Sequence, residues 1–342
     1  MAQVRHVCRK FEVGHIPRRL DGEIVMRRGI LGRTGIELTE LGFGALPFGP
    51  LQKGLGAEEA ADVLALALAG GVNFVDGARV YGTYGVMRRA MEMTGIRPVI
   101  SAKSSERTGG EMEKAFKETL DGLGVGMIDI YLLHGVRDEE DGFASSRGAW
   151  ERLLNYKAEG RIKAVGVSTH SAKVTAAMAE EPEIDVVFPL INRIGRGIRD
   201  GTRAEMERAI SACLVRGKGV YLMKVLGGGT LIDEYQESIA YARGLGGFTP
   251  IVLGMVSRRE VEFNLDYFNG TVAPDRLPSK QGYQKRITVV KRVCMGCRAC
   301  AKACLSGALT YDGEGKGLID PEKCVQCGYC ISACPSFAVR VI

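Results

Sequence analysis

Tryptophan occurs once and histidine four times in this 342-residue chain, and before residue 294 the only cysteines are Cys8 and Cys213. So few thiols through the bulk of the chain exclude a secreted disulfide scaffold, which would be short and cysteine-rich throughout. There is no run of about 18 apolar residues and no signal-peptide arrangement, so neither a membrane span nor secretion is expected. The expected compartment is a reducing cytoplasm. A strong excess of one charge is also missing. Lys and Arg number 46 against 40 Asp and Glu, a formal +6, and the basic residues are scattered, so no nucleic-acid partner is expected. With 46% apolar and 25% charged residues, the chain can bury the core of one large domain plus a small one.

Cysteine then arrives all at once. Cys294, Cys297, Cys300 and Cys304 form one run and Cys324, Cys327, Cys330 and Cys334 a second, both spaced x2, x2, x3. A short loop with ligands every third residue wraps three thiolates round one face of an iron–sulfur cube, and the fourth must come from elsewhere. Structural zinc is the competing chemistry, but it ordinarily shows two CxxC pairs with a spacer. The segment resembles two-cluster bacterial ferredoxins, in which the fourth cysteine of each run serves the other cluster. That resemblance implies one [4Fe-4S] cluster on Cys294, Cys297, Cys300 and Cys334, and a second on Cys324, Cys327, Cys330 and Cys304. Pro335 follows the second run as the bacterial pattern expects, whereas Leu305 follows the first. From Lys285 onward nine Lys and Arg face four Asp and Glu, counter-charge for clusters that each carry about two negative charges when oxidised.

From Leu41 to about Phe268 short apolar runs alternate with amphipathic stretches. The runs are LGFGAL, NFVD, VISAK, IDIYLLH, AVGVS, VVFPLI, GVYLM and PIVLG, and helical patterns such as AEEAADVLALALAGG and RAEMERAISACLVRG separate them. Apolar runs without polar alternation suit parallel strands covered on both faces. Eight units favour an α/β fold of the closed (β/α)8 TIM-barrel kind over an open sheet. The expected division is an N-terminal extension over 1–25, the barrel over 26–268, a linker over 269–284 and a small α+β ferredoxin-like domain over 285–342. The extension, with His6, Cys8 and His15, matches no common metal spacing and is expected to be an unordered or docking arm.

Chemistry in such a barrel sits at the carboxyl ends of the strands. There the sequence places Asp76, Lys103, His134 and Ser168, with Tyr81 in the loop after Asp76. A phenol of pKa about 10 works poorly near neutrality unless a cation stabilises its phenolate. Together Asp76, Tyr81, Lys103 and His134 suit one acid-base site in which Asp76 holds Lys103, Lys103 lowers Tyr81, and His134 meets a substrate oxygen. Trp150 and Cys213 are expected to be packing, and Arg193, Arg196 and Arg199 to line the mouth.

These motifs resemble the aldo-keto reductases, from MRRGILGRTGIELTELGFG through GVNFVDGARVYG, VISAK and IDIYLLH to GRIKAVGVSTH. The resemblance implies Tyr81 as general acid on a carbonyl oxygen, Lys103 and Asp76 tuning it, and His134 orienting the substrate. It also implies a nicotinamide, NADP(H) or NAD(H), as hydride source. The chain departs from that pattern at Phe188, where a glutamine is usual, and at Met223, where a tyrosine is usual. Ser168, the loop Gly227-Gly228-Gly229 and the turn Ser257-Arg258 remain candidate cofactor contacts at the usual barrel phosphate position. Because a hydride carries two electrons and a [4Fe-4S] cluster ordinarily one, a flavin is a candidate splitter. Fusions of this barrel to a two-cluster tail form a subgroup that the whole chain resembles. The expected activity is an iron–sulfur oxidoreductase reducing a small-molecule carbonyl or conjugated unsaturated substrate, with an external electron carrier as partner. The alternative is an electron-transfer protein whose barrel is a docking scaffold.

Overall fold

In a computed structural model of the chain, residues 26–137, 143–272, 286–336 and 338–341 are described. The expected N-terminal extension and most of the expected linker lie outside these residues. A hairpin of β1 (Arg28–Ile30) and β2 (Glu37–Thr39) opens the barrel. It sends Leu31, Ile36 and Leu38 into an inner core with Phe74, Ile130, Leu132, Phe188 and Tyr221, closing the end opposite the strand carboxyl termini.

The eight apolar runs become eight parallel strands: β3 (Leu41–Gly44), β4 (Phe74–Asp76), β5 (Val99–Ser104), β6 (Ile128–Val136), β7 (Ile162–Thr169), β8 (Val186–Pro189), β9 (Gly219–Val220) and β10 (Ile251–Leu253). They follow one another in chain order round the sheet, β10 pairs with β3, and a parallel bridge from Leu222 to Ile251 closes the ring. Eight helices cover the outside: α1 (Ala57–Ala69), α2 (Tyr84–Thr94), α3 (Gly109–Leu123), α4 (Arg147–Ala158), α5 (Ala172–Glu180), α6 (Arg203–Val215), α7 (Tyr235–Arg243) and α8 (Arg258–Phe268). Their starts are written locally. Thr108 with Glu111 and Thr202 with Glu205 form reciprocal capping boxes that satisfy first-turn amides of α3 and α6. Trp150 is fully buried and donates to Glu183 Oε2 at 2.9 Å, and the buried Cys213 thiol donates to the Thr175 carbonyl. Both are packing residues.

Beyond the barrel lies a small module of β11 (Ile287–Val289), α9 (Ala299–Ala303), β12 (Leu309–Tyr311), β13 (Gly317–Ile319), α10 (Tyr329–Ser332) and β14 (Val339–Val341). Strand β11 pairs with β14 and β12 with β13, both antiparallel. Its core joins Ile287, Ala308, Leu309, Ala338 and Val339 to the cysteine side chains. This module seats on the barrel mouth. Val325 and Cys327 share a buried cluster with Leu46, Leu51, Ala78, Tyr81 and Leu190. Polar contacts cross the seam as well: Gln52 Nε2 donates to the Cys327 carbonyl at 3.3 Å, Arg199 Nη1 to the Cys304 carbonyl at 3.4 Å, and Arg196 pairs with Glu322 at 3.5 Å. Two of the three arginines expected at the mouth thus hold the tail, while Arg193 pairs with Glu234.

Close strand packing dictates one glycine. A Cβ on Gly166 of β7 would stand 1.8 Å from the Val186 carbonyl oxygen of β8, whereas one on Gly85 in α2 would meet nothing within 4 Å. Gly166→Ala is therefore expected to cost about 3 kcal/mol, since backbone cannot yield as a side chain can. Gly85→Ala is expected to gain about 0.5–1 kcal/mol from helix propensity. Urea unfolding midpoints of the two variants check both signs.

Candidate active site and iron–sulfur module

Asp76 ends β4 and Lys103 lies near the end of β5, neighbouring strands whose register brings both side chains into the barrel mouth. Lys103 Nζ donates to Asp76 Oδ1 at 2.7 Å, to Oδ2 at 2.6 Å and to the Gly77 carbonyl at 2.8 Å. Both groups are buried, which pushes the Asp76 carboxyl up and the Lys103 ammonium down, while their mutual attraction opposes both shifts.

Tyr81 enters from the turn after β4 and is 5% exposed. Lys103 Nζ stands over its ring, 5.1 Å from the centroid, and not at its hydroxyl. The expected lowering of the phenol by Lys103 is not what burial leaves: the Asp76 carboxylate balances the Lys103 charge, and the direction is upward. Burial pushes Tyr81 well above its ordinary value, with Tyr329 and Asp76 adding to the rise. Such a phenol keeps its proton and yields it only to a strongly basic oxygen. His134, from β6, is pushed well below its ordinary value, first by burial and then by Lys103 and His170, so it is a neutral imidazole.

Sequence reasoning missed the residue between them. Tyr329 lies in the second cysteine run, and its hydroxyl donates to Tyr81 Oη at 3.1 Å and stands 3.0 Å from His134 Nε2. Its ring stacks on Tyr81 at 6.3 Å between centroids. The only signal in the sequence was an aromatic residue inside a ligand loop, and nothing local says that the loop faces the barrel.

The cysteines of the tail form no disulfide among the described residues. Their electrostatic neighbours fall largely into two sets. Cys300 is pushed up by burial, with repulsion from Cys334 and Cys294 adding. Cys330 is pushed up by burial, with Cys327, Cys304 and Cys324 adding first and Cys300, from the other set, last. Backbone N–H groups point at three sulfurs, Ala308 to Cys304 at 3.3 Å, Ala338 to Cys334 at 3.2 Å and Gly317 to Cys294 at 3.4 Å. Both loops turn left-handed at equivalent places, Gly296 and Arg298 in the first, Gln326 and Gly328 in the second. Crossed sets of thiols, amide donors and matching turns all fit cubane ligation.

A cavity of about 760 Å³ opens beside Tyr81, walled by Asp76, Lys103, Phe188, Met223, Gly228 and Ser257. A second, of about 690 Å³, lies between barrel and tail, with Arg107, Arg137, Arg199 and Lys302 on its walls. Tyr329, His134, Gly135 and Leu305 border both. Leu305, the departure from the ferredoxin proline, packs against Gly135, where a Cβ would stand 3.0 Å from its side chain.

The sequence model of the aldo/keto reductase family matches residues 40–246, and that of the 4Fe-4S dicluster domain residues 293–338. The chain belongs to the aldo/keto reductase family. It is 25% identical over 247 residues to an aldo-keto reductase of Mycobacterium avium, an alignment covering 67% of this chain and 82% of that one. An aldo-keto reductase structure from Pseudomonas aeruginosa superposes with a TM-score of 0.60 at 21% identity, over 72% of this chain and 95% of the other. The silkworm (Bombyx mori) aldo-keto reductase in complex with NADP gives 0.55 at 15% identity, over 74% and 91%. At these identities the two structures speak to the fold alone. The protein is thus an oxidoreductase with an aldo/keto reductase barrel and a 4Fe-4S dicluster domain.

Within this aldo/keto reductase barrel the expected cofactor contacts scatter. Gly228 and Gly229 line the larger cavity, but the tail's Val325 already covers Gly228, whose Cβ would stand 2.2 Å from the Val325 carbonyl oxygen. Gly227 is buried behind them. Ser168 lines the cavity while its hydroxyl accepts the Gly135 N–H at 3.0 Å. Ser257 accepts from Glu260 N to cap α8. Arg258 is exposed and is not on the cavity wall, a correction to its expected role, whereas Arg259 lines the cavity. The Glu260 carboxylate accepts the Val256 N–H at 2.7 Å and so holds the anion position at the start of α8. Phe188 is buried and stacks on Tyr221 at 4.1 Å, leaving no amide there for a nicotinamide carboxamide. The cavity has the room for a nucleotide, but these side chains do not fit a nicotinamide.

His170, just after β7, is 4% exposed, and its Nδ1 has no partner among the described residues. Burial, with Lys224, Arg137 and Arg199 adding, pushes it down to about 3. This folded value lies below the unfolded one of about 6.5, so the unfolded chain takes up the proton first as pH falls. The contribution is full above about pH 6.5 and is lost toward pH 3. Between pH 6.5 and 5 the wild type should lose about 1.4 kcal/mol per pH unit more than His170→Asn. Urea titrations at stepped pH measure the difference.

Proposed function

We propose that this protein reduces a carbonyl or conjugated unsaturated small molecule, with Tyr81 as proton donor and electrons relayed through two [4Fe-4S] clusters from an external one-electron carrier. The observation that carries the reading is Tyr329, which lies between the ligand candidates Cys327 and Cys330 and touches both Tyr81 and His134. This contact supports a cluster site at the rim of the acid-base site.

The ligands would be Cys294, Cys297, Cys300 and Cys334 for the outer cluster, and Cys304, Cys324, Cys327 and Cys330 for the one beside the mouth. When bound, such clusters supply electrons one at a time at low potential. The chain's own residues do the rest. Asp76 and Lys103 anchor each other and keep a positive charge against the ring face of Tyr81. His134, neutral, orients the substrate oxygen through Nε2. Reduction of the double bond consumes two electrons and two protons. As electron density arrives, the substrate oxygen becomes basic enough to take the Tyr81 proton, and the second proton comes from water. A phenol held high by burial suits this order, because it stays protonated until the oxygen has gained charge.

The misfit of Phe188, Met223 and Glu260 to a nicotinamide supports electrons entering through the tail. Neither a hydride from NADP(H) or NAD(H) nor a flavin is needed in this scheme. The scaffold reading has one observation in its favour, since the Tyr329 hydroxyl holds the groups a substrate oxygen would use.

Anaerobic visible titration of iron-replete protein tests the route. NADPH and NADH should leave the cluster absorbance unchanged and dithionite should bleach it; bleaching by either nucleotide would return the hydride route. On a panel of conjugated carbonyl compounds with a reduced carrier, Tyr81→Phe should lower turnover by about 100-fold or more with iron content intact. Equal turnover in that variant would favour the scaffold. Cys297→Ser should cost one cluster and about half the iron, and a full complement in that variant would refute the ligand set.

A further inference from the structure

Among the described residues three besides glycine adopt a left-handed backbone, and two of them, Arg298 and Gln326, belong to the cysteine loops. The third is Lys224, with φ 61, in the barrel just past β9. A long side chain there is strained, and such strain persists where the surroundings hold it for a purpose. The turn is fixed by Gly227 N donating to the Lys224 carbonyl at 2.7 Å, and it packs through Gly228 against Val325, between Cys324 and Cys327. Lys224 shares the wall of the larger cavity with Gln326 and Tyr329 of the same loop. Burial pushes its ammonium down, and the groups that oppose this are Cys327 and Cys324. No carboxylate pairs with Lys224 among the described residues; a part-buried cation needs another anion, and a thiolate-ligated cluster is one.

We propose that Lys224 is a positioning charge that the barrel supplies to the cluster beside the mouth, raising that cluster's reduction potential. Reduction adds one negative charge, so a fixed cation favours the reduced form over the oxidised. With both clusters bound, this charge would bias the electron toward the cluster next to Tyr81. This inference rests on the ligand sets proposed above.

The experiment is an anaerobic redox titration of the full-length holoprotein, each cluster followed by its paramagnetic resonance signal. Lys224→Gln should shift the reduction equilibrium of one cluster about tenfold toward the oxidised form, about 59 mV for one electron, and leave the other unmoved. Lys224→Arg should keep the wild-type potential. Lys224→Gly, which relaxes the left-handed strain, should show the same shift as Gln, separating charge from conformation. Unchanged potentials in both the Gln and Gly variants, or equal shifts in both clusters, would overturn the proposal. Wild-type protein holding fewer than two clusters would overturn the ligand sets instead.

Discussion

The contact that ties the tail to the acid-base residues is one short polar chain, from His134 through the Tyr329 hydroxyl to Tyr81. Each of these groups is buried enough that losing its partner would be costly. The contact therefore fixes more than a domain interface. It sets the loop of Cys327 and Cys330 against the acid-base residues, divides the space at the mouth into two cavities, and places Leu305 against Gly135. The apolar cluster of Val325, Leu46, Leu51 and Leu190 then excludes water round it.

Beneath that contact, the Asp76–Lys103 pair shows how closely a buried charge is balanced. Three acceptors take the three ammonium protons, leaving the Tyr81 ring, not its oxygen, to meet the positive charge. Burial holds the phenol high in pKa, and burial with the nearby Lys103 charge holds the imidazole low. This distribution suits a site that waits with its proton in place and responds to charge arriving on a substrate. It is less suited to one that must ionise its phenol near neutrality.

The same economy governs the cations at the seam. Arg196 and Arg199 hold tail groups, and Lys224 shares a cavity wall with Gln326 and Tyr329 of the cysteine loop. What reads in the sequence as scattered basicity is, in three dimensions, partly a collar beneath the cysteine loop. Glu260 makes the opposite choice at α8, where a carboxylate takes the amide that a cofactor phosphate would otherwise approach.

Local pattern was enough for much of this molecule. Eight unalternating apolar runs could be buried only as parallel strands between helices, and each of them lies in the barrel wall. Strand-end positions for Asp76, Lys103, His134 and Ser168 followed from where those runs stop, and cysteine spacing alone marked the tail. Other features had no local signature. That Arg259 and not Arg258 lines the cavity depends on the rotation of α8, which one residue changes by about 100°. That Lys103 lies over the Tyr81 ring depends on strand register. Above all, Tyr329 lies 248 residues from Tyr81. Spacing and periodicity report neighbours within a turn or a strand, whereas the meeting of Tyr329, Tyr81 and His134 is decided by how two separately folded units dock.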